Sequence, residues 1–141
     1  DIHAALGISQ FNRLDKYVNK RHKISKRYNK LLKDLPMIKH QHQIEESFSA
    51  YHLYIITIND SDIKIKHKEI FESLISRGIG VNIHYIPVHL HPFYKELGFK
   101  YGDFIESENY YSKAISLPLF PSMIESEQDK VIESLYEIID F

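Results

Sequence analysis

Three histidines and two prolines lie close together in the second half of the chain. His84, His89 and His91 form an H-x4-H-x-H pattern, and Pro87 and Pro92 restrict the backbone around them. Imidazole titrates near neutral pH and can donate a hydrogen bond to a phosphate or to a sugar hydroxyl. The pattern therefore favours a polar site that contacts a ligand. A metal site and ordinary hydrogen-bonded histidines stay open as interpretations.

Other chemical motifs are absent from the chain. No carboxylate or thiol follows the histidines at the spacing of a metal-ligand set, so a metal site is the least favoured of the three interpretations and we predict none. Glycine-rich phosphate loops and a nucleophile elbow are also missing. The lysines lie on polar helix faces or in turns, where an amine stays protonated. The acidic residues Glu45, Glu46, Glu106 and Glu108 read as solvated surface charges. We therefore predict no complete catalytic group within this chain.

A strand is predicted to deliver the histidines. Gly78 and Gly80 end a helix, and residues 81–86 alternate as a strand does. Asn82 and His84 then share one face of that strand. The opposite face carries Val81, Ile83 and Tyr85. If that second set packs on covering helices, Asn82 and His84 must face the other surface.

The apolar pattern predicts an α+β fold in a single domain, residues 1–141. A long amphipathic N-terminal helix occupies residues 1–35, with a bend near Gly7, and Pro36 ends it. Further helices are predicted at 67–77, 91–97, 104–113 and 122–141, and strands at 48–58, 81–86 and 114–118. Residues 37–47 read as a loop with a short edge strand, and 59–62 as a turn. Together these predict a small, mostly antiparallel sheet covered by helices.

Charge is unevenly distributed although the net charge is only −1. Nine of the 18 lysines and arginines fall between Arg13 and Lys33. They suggest either a nucleic-acid-binding helix or the solvated face of a docked helix, and the interleaved apolar stripe favours the second. No apolar run approaches the roughly 18 residues of a membrane span. The absence of cysteine fits a cytoplasmic protein.

Several segments together resemble the DegT/DnrJ type of sugar-nucleotide aminotransferase, which uses pyridoxal phosphate. The similarity covers nearly the whole chain, in the family's order and spacing. The matching segments are residues 1–11, the run Ser-Ala-Tyr-His-Leu-Tyr at 49–54, residues 78–89 and the run Ala-Ile-Ser-Leu-Pro-Leu-Phe-Pro at 114–121. The run from His84 to His89, followed by Pro92, Phe93 and Tyr94, is most similar to the branch that aminates UDP-4-keto-6-deoxy-N-acetylhexosamines in pseudaminic acid synthesis.

The resemblance implies that this chain is the C-terminal small domain of a larger enzyme. Asp1 is a good N-cap directly before helix-forming residues, so we expect the chain to be a fragment. A lysine of a large domain outside it would hold pyridoxal phosphate, glutamate would donate the amino group, and two subunits would form a homodimer. His84 would contact the substrate, with weaker support from Tyr85 and His89. The fragment alone would be inactive.

Two other classes of function stay open on the sequence. One is a self-contained, non-catalytic α+β module that binds a ligand or regulates another protein. The other is a nucleic-acid-binding protein that uses the basic helix at 13–33. An upstream reading frame that encodes a large domain with a lysine in a serine-rich strand and loop would distinguish the aminotransferase from both.

Overall fold

The computed structural model describes residues 1–59 and 64–139, and within these ranges the chain forms six helices and three short strands. The helices are α1 (Ile2–Phe11), α2 (Leu14–Leu31), α3 (His67–Ser76), α4 (Pro92–Glu96), α5 (Ile105–Tyr111) and α6 (Glu125–Ile139). The strands are β1 (Ile38–His40), β2 (Tyr54–Ile58) and β3 (Ala114–Leu117), and a 3-10 turn spans Val88–Leu90. The predicted α+β class is confirmed. None of the helices in the described ranges has the length and apolarity that crossing a membrane requires.

The three strands form one antiparallel sheet in the order β1-β2-β3. Ile58 of the central strand lies opposite Ile38, and Ile56 lies opposite Ile115. Because side chains alternate across a strand, Tyr54, Ile56 and Ile58 share one face of β2. All three belong to the apolar core, so this face is the buried one.

Helices α2, α3 and α6 cover the buried face of the sheet. Burial of each large apolar side chain in this core stabilises the fold by on the order of 1.5–3 kcal/mol. The apolar side chains with less than 2% exposure are Tyr28, Ile56, Ile58, Ile70, Leu74, Ile115 and Leu135. Polar contacts also join α2 to α6: Gln128 Nε2 donates to the Ile24 carbonyl at 2.9 Å, and Arg27 forms a 2.7 Å ion pair with Asp129. The basic helix is therefore a packing element with a solvated outer face.

The long N-terminal helix is broken, and its first part makes no buried contact. The break falls at Asn12 and Arg13 rather than near Gly7, and the second helix ends at Leu31. No residue of α1 is buried, and Phe11 remains 73% exposed. The predicted apolar stripe packs fully only from Ile24 onward because the described residues offer α1 no surface to cover it.

Two predicted strands are shorter than the sequence pattern suggested. The strand at 48–58 begins only at Tyr54, since β3 offers partners no further than Leu117 and Tyr51 takes a positive φ of 45°. The strand at 81–86 reduces to one bridge residue, Asn82, opposite Ser116. The residue types alternate along both segments as they do in a strand, but no neighbouring strand continues the hydrogen-bond ladder.

The remaining local predictions agree with the structure. Gly78, with φ of 75°, closes α3 in a Schellman motif: its N–H donates to the Ile75 carbonyl, and the next N–H, of Ile79, donates to the Leu74 carbonyl. The short edge strand, the two short helices after the histidines, the strand at 114–118 and the last helix are all present, although α6 starts at Glu125. Residues 60–62 of the predicted turn, and residues 140–141 of the predicted last helix, lie outside the described residues.

Candidate functional site

The histidine loop, which we define as residues 83–91, leaves the edge of the sheet at a single point of backbone pairing. Asn82 N–H donates to the Ser116 carbonyl at 3.2 Å, and Ser116 N–H donates to the Asn82 carbonyl at 2.8 Å. The next amide, of Ile83, donates instead to Asn82 Oδ1 at 2.8 Å. A side-chain acceptor thus takes the backbone donor that a continuing strand would need. The start of the loop is fixed to β3.

His84 is held against the sheet by one ring nitrogen. Its Nδ1 lies 2.7 Å from Oγ of Ser116, a buried residue of β3, and the imidazole itself is half-buried. Within the described part of the chain Nε2 makes no hydrogen bond. The strand therefore fixes the direction of the ring and leaves its second nitrogen available to a ligand.

Tyr85 lies beside His84 and points into solvent. The two rings meet edge to face with centroids 4.6 Å apart, and Tyr85 is 72% exposed. The peptide bond between these residues is cis. The condition that Val81, Ile83 and Tyr85 pack together on the covering helices is not met at Tyr85, because the strand ends at Asn82. Val81 is buried as predicted.

His89 occupies a different environment from His84. It sits in the 3-10 turn, is 7% exposed, and its Nε2 lies 2.7 Å from Oε1 of Glu108 on α5. That carboxylate also accepts hydrogen bonds from Gly102 N–H, 2.9 Å from both oxygens, and from Phe104 N–H at 3.4 Å. One ring nitrogen of His89 is thus committed to the protein.

The environment of Glu108 favours its ionised form. Burial acts to raise the pKa of this carboxyl, but the hydrogen bond from His89 and those from the Gly102 and Phe104 amides outweigh it. The pKa therefore lies below the ordinary value for glutamate. Because an ionised carboxylate only accepts hydrogen bonds, the proton between the two side chains resides on His89 Nε2.

The three histidines do not converge on one point. His91 is exposed and occupies the N-cap position of α4 without a capping hydrogen bond from its side chain, and its Nε2 lies 3.3 Å from the Ile86 carbonyl. Over residues 1–59 and 64–139, no three histidine, aspartate or glutamate side chains come together in a way that could hold a metal ion. The three histidines of the H-x4-H-x-H pattern therefore lie in three environments: His84 contacts the sheet, His89 forms a buried pair, and His91 lies at the surface.

An aromatic cleft opens beside His89. Its volume is about 310 Å3, and it is lined by Val88, His89, Tyr94, Phe99, Phe104 and Ser107. The ring centroids of Phe104 and His89 are 4.8 Å apart, and those of Phe99 and Phe104 are 6.1 Å apart. Outside the cleft, Phe93 and Tyr101 are largely exposed. The histidine loop therefore borders a wide apolar surface.

Two residues that matter to this site escaped the sequence analysis. Glu108 was read as a surface charge paired with Glu106, yet Glu106 is exposed and Glu108 is buried. The two side chains are separated by about 200° around a helix, which is the signal that could have distinguished them. Ser116 was passed over as part of an apolar strand. Its polar side chain among buried neighbours was the available signal.

The chain does not fit the role of holding pyridoxal phosphate covalently. Attachment needs a lysine whose amine is desolvated or otherwise deprotonated near neutral pH. Every lysine of the chain is exposed except Lys113, which is half-buried. None of these lysines is therefore desolvated by burial in this structure.

Comparison with known proteins places the chain among sugar aminotransferases. The profile of the DegT/DnrJ/EryC1/StrS aminotransferase family matches residues 1–136. The spore coat polysaccharide biosynthesis protein SpsC of Bacillus subtilis is 36% identical over 141 residues, which cover 99% of this chain and 36% of SpsC. An uncharacterised protein of Methanocaldococcus jannaschii, MJ1066, shows the same identity over 145 residues, covering 99% of this chain and 36% of MJ1066.

Solved structures give the same result for the fold. Helicobacter pylori PseC, an aminotransferase involved in the biosynthesis of pseudoaminic acid, superimposes with a TM-score of 0.88 at 28% identity, over 99% of this chain and 37% of PseC. Spr1654 of Streptococcus pneumoniae, in a form that contains PLP, gives a TM-score of 0.88 at 28% identity, over 99% of this chain and 36% of its own. This chain therefore spans a little over a third of the length of the relatives that it matches.

Proposed function

Because this chain belongs to the DegT/DnrJ/EryC1/StrS aminotransferase family, we propose that it forms the C-terminal small domain of a sugar-nucleotide aminotransferase that uses pyridoxal phosphate. The observation that carries the proposal is the family match over residues 1–136, joined to the superposition on a little over a third of PseC. The exposed lysines of this chain agree with a cofactor held elsewhere in the full-length protein.

The proposed reaction moves an amino group from glutamate to C4 of a UDP-4-keto-6-deoxy-N-acetylhexosamine. The likeness to PseC supports the sugar, and would make the full-length protein a UDP-4-amino-4,6-dideoxy-N-acetyl-β-L-altrosamine transaminase. Pyridoxal phosphate supplies the chemistry that carries the amino group between the two substrates. We propose a cytoplasmic homodimer as the working form. The share of this chain is then to bind and orient the sugar.

His84 is the proposed principal contact with the sugar nucleotide. Ser116 holds its Nδ1, so Nε2 is the nitrogen that can reach a hydroxyl, a carbonyl or a phosphate oxygen. Tyr85 would add its exposed ring and hydroxyl next to that nitrogen. His89 would support the site indirectly, since its Nε2 already pairs with Glu108.

A labelled-donor assay of the full-length protein tests the proposed function. The protein, loaded with pyridoxal phosphate, is incubated with the UDP-4-keto sugar and 15N-glutamate, and the product is analysed by mass spectrometry. We expect a UDP-4-amino sugar that carries one 15N atom. A full-length protein that binds pyridoxal phosphate but transfers no label to this or any related keto sugar nucleotide would contradict the proposal. That result would favour a non-catalytic binding module.

A further inference from the structure

Both ends of the histidine loop are tied to one short stretch of chain, residues 108–116. The first tie is the Asn82–Ser116 backbone pair together with the contact between His84 and Ser116 Oγ. The second is the hydrogen bond from His89 to Glu108. Exposed Tyr85 and Ile86 lie between the two ties. The position of the loop therefore depends on α5 as well as on β3.

Glu108 is built into the fold as a buried acceptor. It is 3% exposed, and its two oxygens receive N–H groups from three separate positions: His89, Gly102 and Phe104. A buried carboxylate is tolerated only when such donors replace its lost hydration. The carboxylate thus joins the histidine loop to the 102–104 segment, of which Phe104 lines the aromatic cleft.

The stretch of the loop around His89, from Pro87 to His91, is held by its own hydrogen bonds. Pro87 is buried and precedes the 3-10 turn, in which Leu90 N–H donates to the Pro87 carbonyl at 2.9 Å and His91 N–H donates to the Val88 carbonyl at 3.1 Å. Proline fixes φ, and the two hydrogen bonds fix the turn. A shift of His89 must therefore carry the C-terminal end of the loop with it.

We propose that Glu108 is a positioning residue for sugar binding: by holding His89 it sets the place of the loop that presents His84 and Tyr85. The inference rests on the proposed function, because that function makes the loop a substrate contact. Glu108 itself does not touch the sugar.

Two variants at position 108, each with a matched control, test the proposal in the full-length enzyme. Glu108→Leu removes both acceptor oxygens, whereas Glu108→Gln keeps one and remains available if the leucine variant does not fold. Glu106→Leu and Glu106→Gln are the controls, since Glu106 lies on the same helix and is exposed. Hydrogen exchange of the loop amides gives a readout that does not depend on activity.

The amides of Leu90 and His91 should exchange faster by about tenfold or more in Glu108→Leu and by less in Glu108→Gln. The Glu106 variants, and the amides of β2 in every variant, should keep wild-type exchange. The KM for the keto sugar should rise about fivefold in Glu108→Leu, while the KM for glutamate stays within about twofold. Simple loss of folded enzyme would lower kcat without this split.

Unchanged exchange in the loop would overturn the proposal. Faster exchange with an unchanged KM for the keto sugar would also overturn it, because Glu108 would then support only the fold. A wild-type enzyme that aminates no sugar nucleotide contradicts the proposed function and, with it, this inference. If the wild-type enzyme is active but substitution of Glu108 changes neither the loop exchange nor the KM for the keto sugar, only the inference about Glu108 is contradicted.

Discussion

Replacing Tyr28 by phenylalanine removes a hydroxyl that joins α2 to the segment after β3. The Tyr28 side chain is fully buried, and its hydroxyl donates to the partly buried Pro118 carbonyl at 3.0 Å and lies 3.8 Å from Met123 Sδ. Phenylalanine keeps the ring and its stacking on Tyr54, whose centroid is 4.8 Å away. The substitution therefore removes the donor and leaves the carbonyl without it, with little change in packing.

The expected loss of unfolding free energy follows from the Pro118 carbonyl, which no longer receives the Tyr28 hydroxyl. A buried polar group that loses its partner costs about 1–2 kcal/mol of unfolding free energy. For a chain of this size that corresponds to a fall in melting temperature of about 3–6 °C. Tyr101→Phe is the matched control, because Tyr101 is 75% exposed. Thermal unfolding followed by circular dichroism measures both variants.

Equal melting temperatures for Tyr28→Phe and Tyr101→Phe would refute the reasoning, because the hydrogen bond would then contribute nothing to stability. A fall several times larger than expected would also contradict it. Such a fall would mean that the ring itself had moved and that the core around Tyr54 had repacked.

The remaining predictions concern pH and the cofactor. Because the pKa of Glu108 is lowered in the folded state, its stabilising contribution is present above the ordinary glutamate value of about 4.3 and is lost as the pH falls through the folded value. Glu108→Gln should therefore flatten the acid side of the stability curve measured by denaturant titration, and an unchanged slope would contradict this. Burial raises the pKa of Tyr28 and Tyr54, so stability should decline as the pH rises above about 10, where an unfolded tyrosine ionises. Absorbance near 295 nm should show these two phenols ionising only with unfolding. Their ionisation in the folded protein would contradict this prediction. Borohydride reduction of this chain with pyridoxal phosphate should trap no one-to-one adduct at a single lysine, and such an adduct would show that the chain itself holds the cofactor.

Local sequence signals predicted the parts of the fold that depend on neighbours along the chain. Gly78 ends α3 because only a residue tolerant of positive φ fits there, and that requirement is visible in the sequence. The α6 helix and β3 likewise follow from periodicity and from the proline after β3.

The elements that were predicted wrongly depend on partners distant in the chain. Residues 48–53 alternate as a strand does but have no ladder to join, and residues 83–86 lose theirs when Asn82 Oδ1 takes the Ile83 amide. Helical phase separates Glu108 from Glu106, but it does not say which of the two is buried, since α5 has only seven residues and little periodicity. The buried pair with His89 arises from tertiary contact across 19 positions of sequence.

His84→Ala in the full-length enzyme tests whether the histidine loop presents His84 to the sugar nucleotide. We expect kcat/KM for the keto sugar to fall by roughly ten- to a thousand-fold, about 1.4–4 kcal/mol of transition-state binding. The melting temperature of the same sample should fall by no more than about 3 °C, because one partly exposed hydrogen bond to Ser116 is lost. His91→Ala, which replaces an exposed histidine of the same loop, should leave kcat/KM unchanged. Wild-type kcat/KM in His84→Ala, with or without a loss of stability, would contradict the account.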